Sequence, residues 1–396
     1  MTDGQRKTRR SALLICELET FHTAHAEFNA SVIATARSAF PASPIYFLAS
    51  TRHYAMVSIE LERHGIDGVG FVELTEPPAR NWYSTRAYWL RTVRLIYGLS
   101  RQLDCSKILV CGFGEQFHHY FAILRPHSFH GRWCGLVHRA SYLTRQKGRG
   151  LKYRLKECAI RFLTRNRRSR LIFLGPTIAR HITENLAFSD VEVRYIYHPY
   201  LFPEDPCVSP LGDGQIDFVF AGRTAKEKGF DIFCRIADEI SSALANPAIN
   251  PAFTLAGGLR WVPREYSAGG NVRLADPALR LTRDDLAMHL HGASYLVMPY
   301  DASRYGRTSA SGVLLDAISH VKPIIALRTD ELSCYFELFG DLGILCESEL
   351  EMKQVMLEII RNPPSIAYAA QQANLLAARA FLRVDNQKAA FAELWI

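Results

Sequence analysis

Phe218-Val219-Phe220-Ala221-Gly222-Arg223-Thr224-Ala225-Lys226-Glu227-Lys228-Gly229-Phe230-Asp231 holds a strand, a turn and the start of a helix in fourteen residues. The apolar run ends at Gly222, two bases stand five positions apart, and an apolar-periodic segment begins at Phe230. Arg223 at the strand's end can grip phosphate oxygens through its planar fork, while Lys228 near the helix start adds a point charge. Together they suit a diphosphate, and their charge would stabilise a departing phosphate group without magnesium. A plain turn flanked by two bases fits the same residues.

Working outward, short apolar runs rich in branched residues alternate with longer helical patterns. Before the stretch they are Ala12 to Cys16, Ile45 to Leu48, Gly70 to Leu74, Ile108 to Cys111, Cys134 to Val137, Leu171 to Leu174 and Val191 to Ile196. Within and after it come Ile216 to Ala221, Phe253 to Ala256, Tyr295 to Met298, Ile324 to Ala326 and Gly343 to Leu345. This is the rhythm of parallel sheets with crossover helices. Around His198 to Gly214 it breaks into a polar stretch bearing Pro199, Pro203, Pro206 and Pro210. The 396 residues exceed one ordinary core and suit two α/β lobes. The expected domains are 1–200, a linker at 201–214, and 215–365, with helices in 366–396 crossing back to the first lobe.

Apolar residues make up 48% and charged residues 22% of the chain, a globular composition rather than a disordered or fibrous one. No apolar run approaches the roughly 20 residues needed to cross a bilayer. The basic opening with Lys7, Arg9 and Arg10 is followed by an apolar run too short for a signal peptide and cut by Glu17 and Glu19. The nine cysteines form no C-x-x-C pair, which fits a reducing cytoplasm and argues against a zinc site or a disulfide framework. The net charge of +8 is concentrated: Arg139 to Arg170 holds 12 bases and one acid, +11, against 35 bases and 38 acids, −3, elsewhere. Within that segment Leu151, Leu155, Cys158, Ala159 and Phe162 form an apolar stripe, with Lys152, Arg154, Lys156 and Arg161 largely between them. Such a helix fits docking on an anionic membrane surface, peripheral on the inner face, and equally a solvated basic face packed on its own domain. Nucleic acid is not an expected partner, since neither stacking aromatics nor a known module accompanies the bases.

The second motif is Thr308-Ser309-Ala310-Ser311-Gly312-Val313-Leu314-Leu315-Asp316, a small-residue loop entering a helix, followed by Lys322-Pro323-Ile324-Ile325-Ala326. Amides at that helix start would face an anion. With the first motif, it resembles the GT-B glycosyltransferases, in particular glycosyltransferase family 4, most clearly from Asp217 to Cys346. The resemblance implies two Rossmann-like doubly wound domains facing across a cleft, and transfer from a nucleotide-sugar donor with no cofactor and no metal. It implies that Gly222, Thr308, Ser309, Ser311, Gly312 and Asp316 line the donor site, with Asp316 on the ribose. Thr308 stands where the family carries its first acid, a departure that bears on sugar identity and on anomeric outcome. The hydroxyls of Thr308, Ser309 and Ser311 fit donor contacts, and Ser309 or Ser311 equally fits a helix N-cap.

In the first lobe, His138 follows a strand and matches the family's histidine near the donor sugar; a lone histidine there also fits a structural role. Ligands in such sheets lie beyond the carboxyl ends of strands. That rule makes Glu19, His22 and His25 after the first strand, and Glu115 and His118 after Ile108 to Cys111, candidate contacts for a glycan or lipid-linked acceptor, or plain loop residues. Trp82, Tyr83, Tyr88 and Trp89 fit an acceptor contact or a buried aromatic helix face. The expected activity is glycosyl transfer in polysaccharide or glycolipid assembly, retaining, with His138, Arg223 and Lys228 at the chemistry. A sugar-nucleotide epimerase of the same fold and a non-catalytic nucleotide-sugar-binding scaffold remain the alternatives.

Overall fold

The structure, a computed structural model, describes residues 11–21, 25–75, 86–114, 120–121, 124, 129–138, 140, 169–185, 193–206, 208–211, 215–244, 250–264, 266, 270–275, 283–302 and 307–396. The chain divides into two compact units, Met1–Leu201 with Leu382–Ile396, and Phe202–Phe381.

Unit 1 runs β1 (Ala12–Glu17), α1 (Ala26–Ala39), β2 (Ile45–Ala49), α2 (Thr51–Arg63), β3 (Val69–Glu73), α3 (Arg86–Gln102), β4 (Cys105–Cys111), β5 (Arg132–Val137), β6 (Ser169–Leu174), α4 (Pro176–Asn185) and β7 (Val193–Ile196). Its seven strands lie in the order β3-β2-β1-β4-β5-β6-β7, every pair parallel. Every residue of β1 and β6 is buried, the signature of strands covered on both faces. The order reverses between β1 and β4, so the loops after these strands part and open a crevice at their carboxyl ends.

Unit 2 repeats the plan: β8 (Gln215–Ala221), α5 (Phe230–Ala243), β9 (Asn250–Ala256), β10 (Val272–Leu274), α6 (Arg283–Gly292), β11 (Tyr295–Met298), α7 (Gly312–Ser319), β12 (Ile324–Leu327), α8 (Asp330–Phe339), β13 (Gly343–Cys346), α9 (Glu349–Arg361) and α10 (Ser365–Leu382). The parallel order is β10-β9-β8-β11-β12-β13, with the reversal between β8 and β11. Helix α5 buries Phe230, Phe233, Cys234, Ala237 and Ile240 at three- and four-residue spacing. That apolar stripe packs into a core with Phe218, Phe220, Phe253 and Tyr295.

Of the two C-terminal helices, α10 lies with unit 2, where Tyr368 donates to the Ser294 carbonyl at 2.8 Å and Gln372 to that of Ser209 at 2.9 Å. Only α11 (Val384–Glu393) joins unit 1. It packs on α1: Phe391 is fully buried with its ring 6.3 Å from Phe40, and Ser38 donates to Asp385 at 2.8 Å. Carbonyls at the end of a helix lack intrahelical partners and attract cations. Here Arg170 Nη1 donates to Leu394 O at 2.7 Å and Glu393 O at 3.3 Å, and Arg132 donates to Trp395 O. Arg170, the last base of the basic segment, is therefore a buried cap rather than a surface charge.

Candidate functional site

At the end of β8 the chain turns at Gly222, whose φ of +86° is a left-handed value that suits glycine. Gly222 N–H donates to Ala256 O at 2.8 Å and Thr224 N–H to Gly258 O at 3.0 Å. The Thr224 hydroxyl accepts from the N–H groups of Arg260 and Trp261, both at 2.9 Å. The loops after β8 and β9 are thereby zipped together. A 3₁₀ turn, Lys226–Lys228, follows and closes at Gly229, φ +68°. A Cβ on Gly229 would collide with the Pro299 carbonyl, and Asp301 N–H donates to Glu227 O at 3.1 Å. The turn is clamped against the end of β11, at the point where the strand order reverses.

That clamp places the Lys228 ammonium against Gly222, 3.4 Å from where a Cβ would stand, with Val313 Cγ2 of α7 at the same distance. Burial lowers the Lys228 pKa, the Arg223 charge lowers it further, and Asp316 opposes both. Arg223 is exposed, and Lys228 and Asp316 are half-buried. Glu227 acts in the same sense as Asp316, and an anion between the two mutually repelling cations would further relieve the burial of Lys228.

Before α7, Thr308 and Ser309 are half-buried and Gly312 is exposed. Ser311 is the N-cap: its hydroxyl accepts from Leu314 N–H at 3.3 Å, and its own N–H donates to Glu331 Oε1 at 3.0 Å. Of the two serines the sequence left open as the cap, Ser311 takes the role. Burial pushes the Glu331 carboxyl up to about 8, against the pull of the Ser311 hydrogen bond. The unfolded chain would ionise this group near 4.5. Stability is therefore highest below that pH and falls as pH rises towards 8, where the unfolded state has released a proton that the folded state keeps. Glu331→Gln removes the difference, so the melting temperature of the variant relative to the parent is expected to rise from pH 5 to pH 8. Parallel thermal melts at the two pH values check this.

In unit 1, His138 follows β5 and stacks on His25 at 4.7 Å and 14°, with Phe28 edge-on at 4.4 Å. Phe28 also meets the His198 ring at 5.0 Å, and burial pushes His198 down to about 4. His25 precedes α1 with φ 64° and an exposed side chain. Glu19 is exposed on the loop after β1, yet a Cβ on Gly114 would collide with its carboxyl. Crowding of the carboxyl against Gly114 strips water from it although the residue as a whole is exposed, and this, then the charge of Glu17, raises its pKa. The carboxyl thus stands between the loops after β1 and β4. Tyr88 and Trp89 are both 3% exposed and in edge contact at 4.9 Å, a buried aromatic face. His22, Trp82, Tyr83, Glu115, His118, Lys152, Arg154, Lys156 and Arg161 lie outside the described residues.

Sequence reasoning did not single out Thr224, His198 or Glu331, nor the buried set of Glu17, Asn29 and His53. A capping signature at Thr329-Asp330-Glu331 marks the last of the first three; the others are joined only by the fold. Among the described residues no group of three or more His, Cys, Asp or Glu is arranged to hold a metal ion, and no helix is long and apolar enough to cross a membrane.

Among solved structures the chain is similar to sucrose-phosphate synthase from Thermosynechococcus elongatus, with a TM-score of 0.65, 14% identity and 98% of each chain covered. It is also similar to an α,α-trehalose-phosphate synthase (UDP-forming) from Burkholderia xenovorans in complex with glucose-6-phosphate, with a TM-score of 0.62, 9% identity, and 97% of this chain and 99% of that one covered. HepE from Anabaena, in complex with UDP and glucose, gives a TM-score of 0.60, 14% identity, and 96% and 98% coverage. No protein-family model matches the sequence, and no curated protein matches it. The fold is that of the GT-B glycosyltransferases, with two Rossmann-like parallel-sheet units.

Proposed function

We propose that this chain is a nucleotide-sugar-dependent glycosyltransferase that moves a sugar from a nucleoside-diphosphate donor to a hydroxyl acceptor. The observation that carries the reading is the Lys228 ammonium, held against Gly222 and in the field of Arg223 and Asp316, at the crevice of the unit 2 sheet. A diphosphate there restores the charge that burial and Arg223 disfavour in Lys228, and the two cations absorb the negative charge that grows on the leaving group. Asp316 holds the ribose, while Thr308, Ser309 and Gly312 border the sugar. His138 contacts the sugar near the reacting carbon. Support comes from the fold and from the structures it resembles: HepE holds UDP and glucose, and the Burkholderia enzyme is UDP-forming.

The transfer proceeds without a metal and with retention, the departing phosphate taking the acceptor proton. One observation favours a second course, inversion with Glu19 as general base. Its carboxyl lies between the loops after β1 and β4, and its raised pKa brings it nearer the operating pH of such a base. The anomeric configuration of the product separates the two. The acceptor is a glycan or a lipid-linked sugar in polysaccharide or glycolipid assembly, met by unit 1 at the cytoplasmic membrane face. Lys152, Arg154, Lys156 and Arg161, within Arg139 to Arg170, supply the attraction to anionic lipid.

Thermal melts with a panel of uridine, guanosine, adenosine and cytidine diphosphates test the reading. A ligand at 100 times its Kd adds about 2.7 kcal/mol to folded-state stability, so at least one diphosphate is expected to raise the melting temperature. If none does, the donor site is wrongly assigned. Nucleotide binding without turnover would instead favour the non-catalytic scaffold, and donor turnover to an isomeric sugar nucleotide would favour the epimerase.

A further inference from the structure

Behind the carboxyl ends of the unit 1 strands lie three buried polar side chains that the proposed transfer does not use. Glu17 ends β1, is 1% exposed and stands opposite Cys111 at the end of β4. Its Oε1 accepts from the backbone N–H groups of Glu19 at 3.0 Å and Thr20 at 3.1 Å, and its Oε2 from Asn29 Nδ2 at 2.9 Å. Asn29 Nδ2 on α1 also lies 2.8 Å from His53 Nε2 on α2, and both residues are fully buried. An amide NH₂ carries two hydrogens, so Asn29 donates to both neighbours and His53 Nε2 accepts. Two helices thus hold the carboxyl from behind, and the carboxyl holds the first turn of the loop in front. The loop is pinned again where the Tyr88 hydroxyl donates to Leu18 O at 3.2 Å.

Burying a carboxyl is unfavourable, and burial does push the Glu17 pKa upward, while its four hydrogen-bond donors, the side chain of Asn29 and the backbone N–H groups of Glu19, Thr20 and Leu18, pull it back. An ionisable group at such a place calls for a reason, and the loop it holds supplies one. That loop carries Glu19, whose carboxyl is pressed over Gly114. Gly112 of the opposing loop takes a left-handed φ of +63°, and a Cβ there would stand in ordinary contact with Glu17 Oε1 at 3.6 Å.

We propose that Glu17 is a positioning residue which, by gripping the Glu19 N–H, fixes the Glu19 carboxyl in the unit 1 crevice to meet the acceptor hydroxyl. The meeting with an acceptor rests on the glycosyltransferase reading above; the positioning does not.

Hydrogen exchange and carboxyl-carbon NMR on the full chain test it, using the parent, Glu17→Gln and Glu17→Leu. The amide oxygen of the Gln variant still accepts from both N–H groups, and a flip of Asn29 with the other His53 tautomer accommodates its NH₂. The Leu variant keeps the volume and has no acceptor. The Glu19 and Thr20 amides are expected to exchange roughly 100-fold slower than in an unfolded chain in the parent and in Glu17→Gln, and at least about tenfold faster than that in Glu17→Leu. Glu19 is expected to titrate above the ordinary glutamate range in the first two and to return to it in the third. Unprotected amides in the parent, or one Glu19 titration common to all three, would overturn the proposal. Should Glu17→Leu not fold, protection in the parent and its retention in Glu17→Gln still decide. Stabilisation by uridine diphosphate is expected to be the same in all folded variants. Its loss in Glu17→Leu alone would mark general disruption and count against positioning, whereas failure of every nucleoside diphosphate on the parent would sink the transferase reading and leave the loop measurement standing.

Discussion

Lys228→Ala is expected to slow sugar transfer by roughly 10²–10³-fold, the usual loss when one preorganised group facing developing charge is removed. The argument begins with backbone. Gly222 and Gly229 both take left-handed φ, the turn between them packs closely on Pro299 and is hydrogen-bonded to Asp301 N–H, and the Lys228 ammonium lies against Gly222. A group held there in advance costs no reorganisation when the leaving phosphate gains charge. Arg223→Ala acts on the same charge from the solvent side and is expected to cost less, because an exposed guanidinium is better screened. The double variant is expected to lose more than the sum of the two, since removing Arg223 alone relieves the repulsion on charged Lys228 and so cushions the single loss. Single-turnover rates with a defined donor, beside nucleotide affinities, check all three. A Lys228→Ala rate within a factor of two of the parent would remove this residue from the chemistry.

Deleting residues 383–396 is expected to unfold unit 1. The deletion removes Phe391, Leu394 and Trp395, at 0%, 3% and 6% exposure, from the buried interior of unit 1. At about 1.5–3 kcal/mol for each buried side chain, that is roughly 5–9 kcal/mol, against a whole-domain stability of about 5–15 kcal/mol. Arg170, 7% exposed, would also lose the carbonyls it caps. The single change Phe391→Ala is a graded version, expected to cost about 3–5 kcal/mol. Limited proteolysis checks the deletion: fragments from unit 1 are expected to vanish while one spanning unit 2 survives. A single melt unchanged from the parent would show that α11 contributes little.

Much of the fold was legible because both sheets are built from buried parallel strands, which read as apolar runs. Tyr295–Met298 has the same bounds in sequence and structure, and most other strands differ by one to three residues at an end. Strand β10 was missed because Val272–Leu274 is three residues long, too short to show a period. Helix α8 was missed although Thr329 caps it, accepting from Leu332 N–H at 3.3 Å, ahead of two acids in its first turn. The prolines after His198 drew attention to a linker, yet Tyr200, Leu201, Phe202 and Leu211 are buried among them.

In the candidate site, Gly222, Arg223 and Lys228 could be read locally because one turn carries all three. Asp316 came from resemblance, and only the fold brings its charge to bear on Lys228. The set of Glu17, Asn29 and His53 was invisible for a different reason. Its members sit on a strand and two helices, and no spacing along the chain relates one to another.

The return of α11 to unit 1 also sets an order of events during synthesis. Unit 2, residues 202–381, is 180 consecutive residues and has all its parts once they have left the ribosome. Unit 1, begun earlier, must wait for the segment after Leu382, so the usual sequence in which the N-terminal domain matures first is reversed. Until then the flank of α1 that receives Phe391 is bare on the nascent chain.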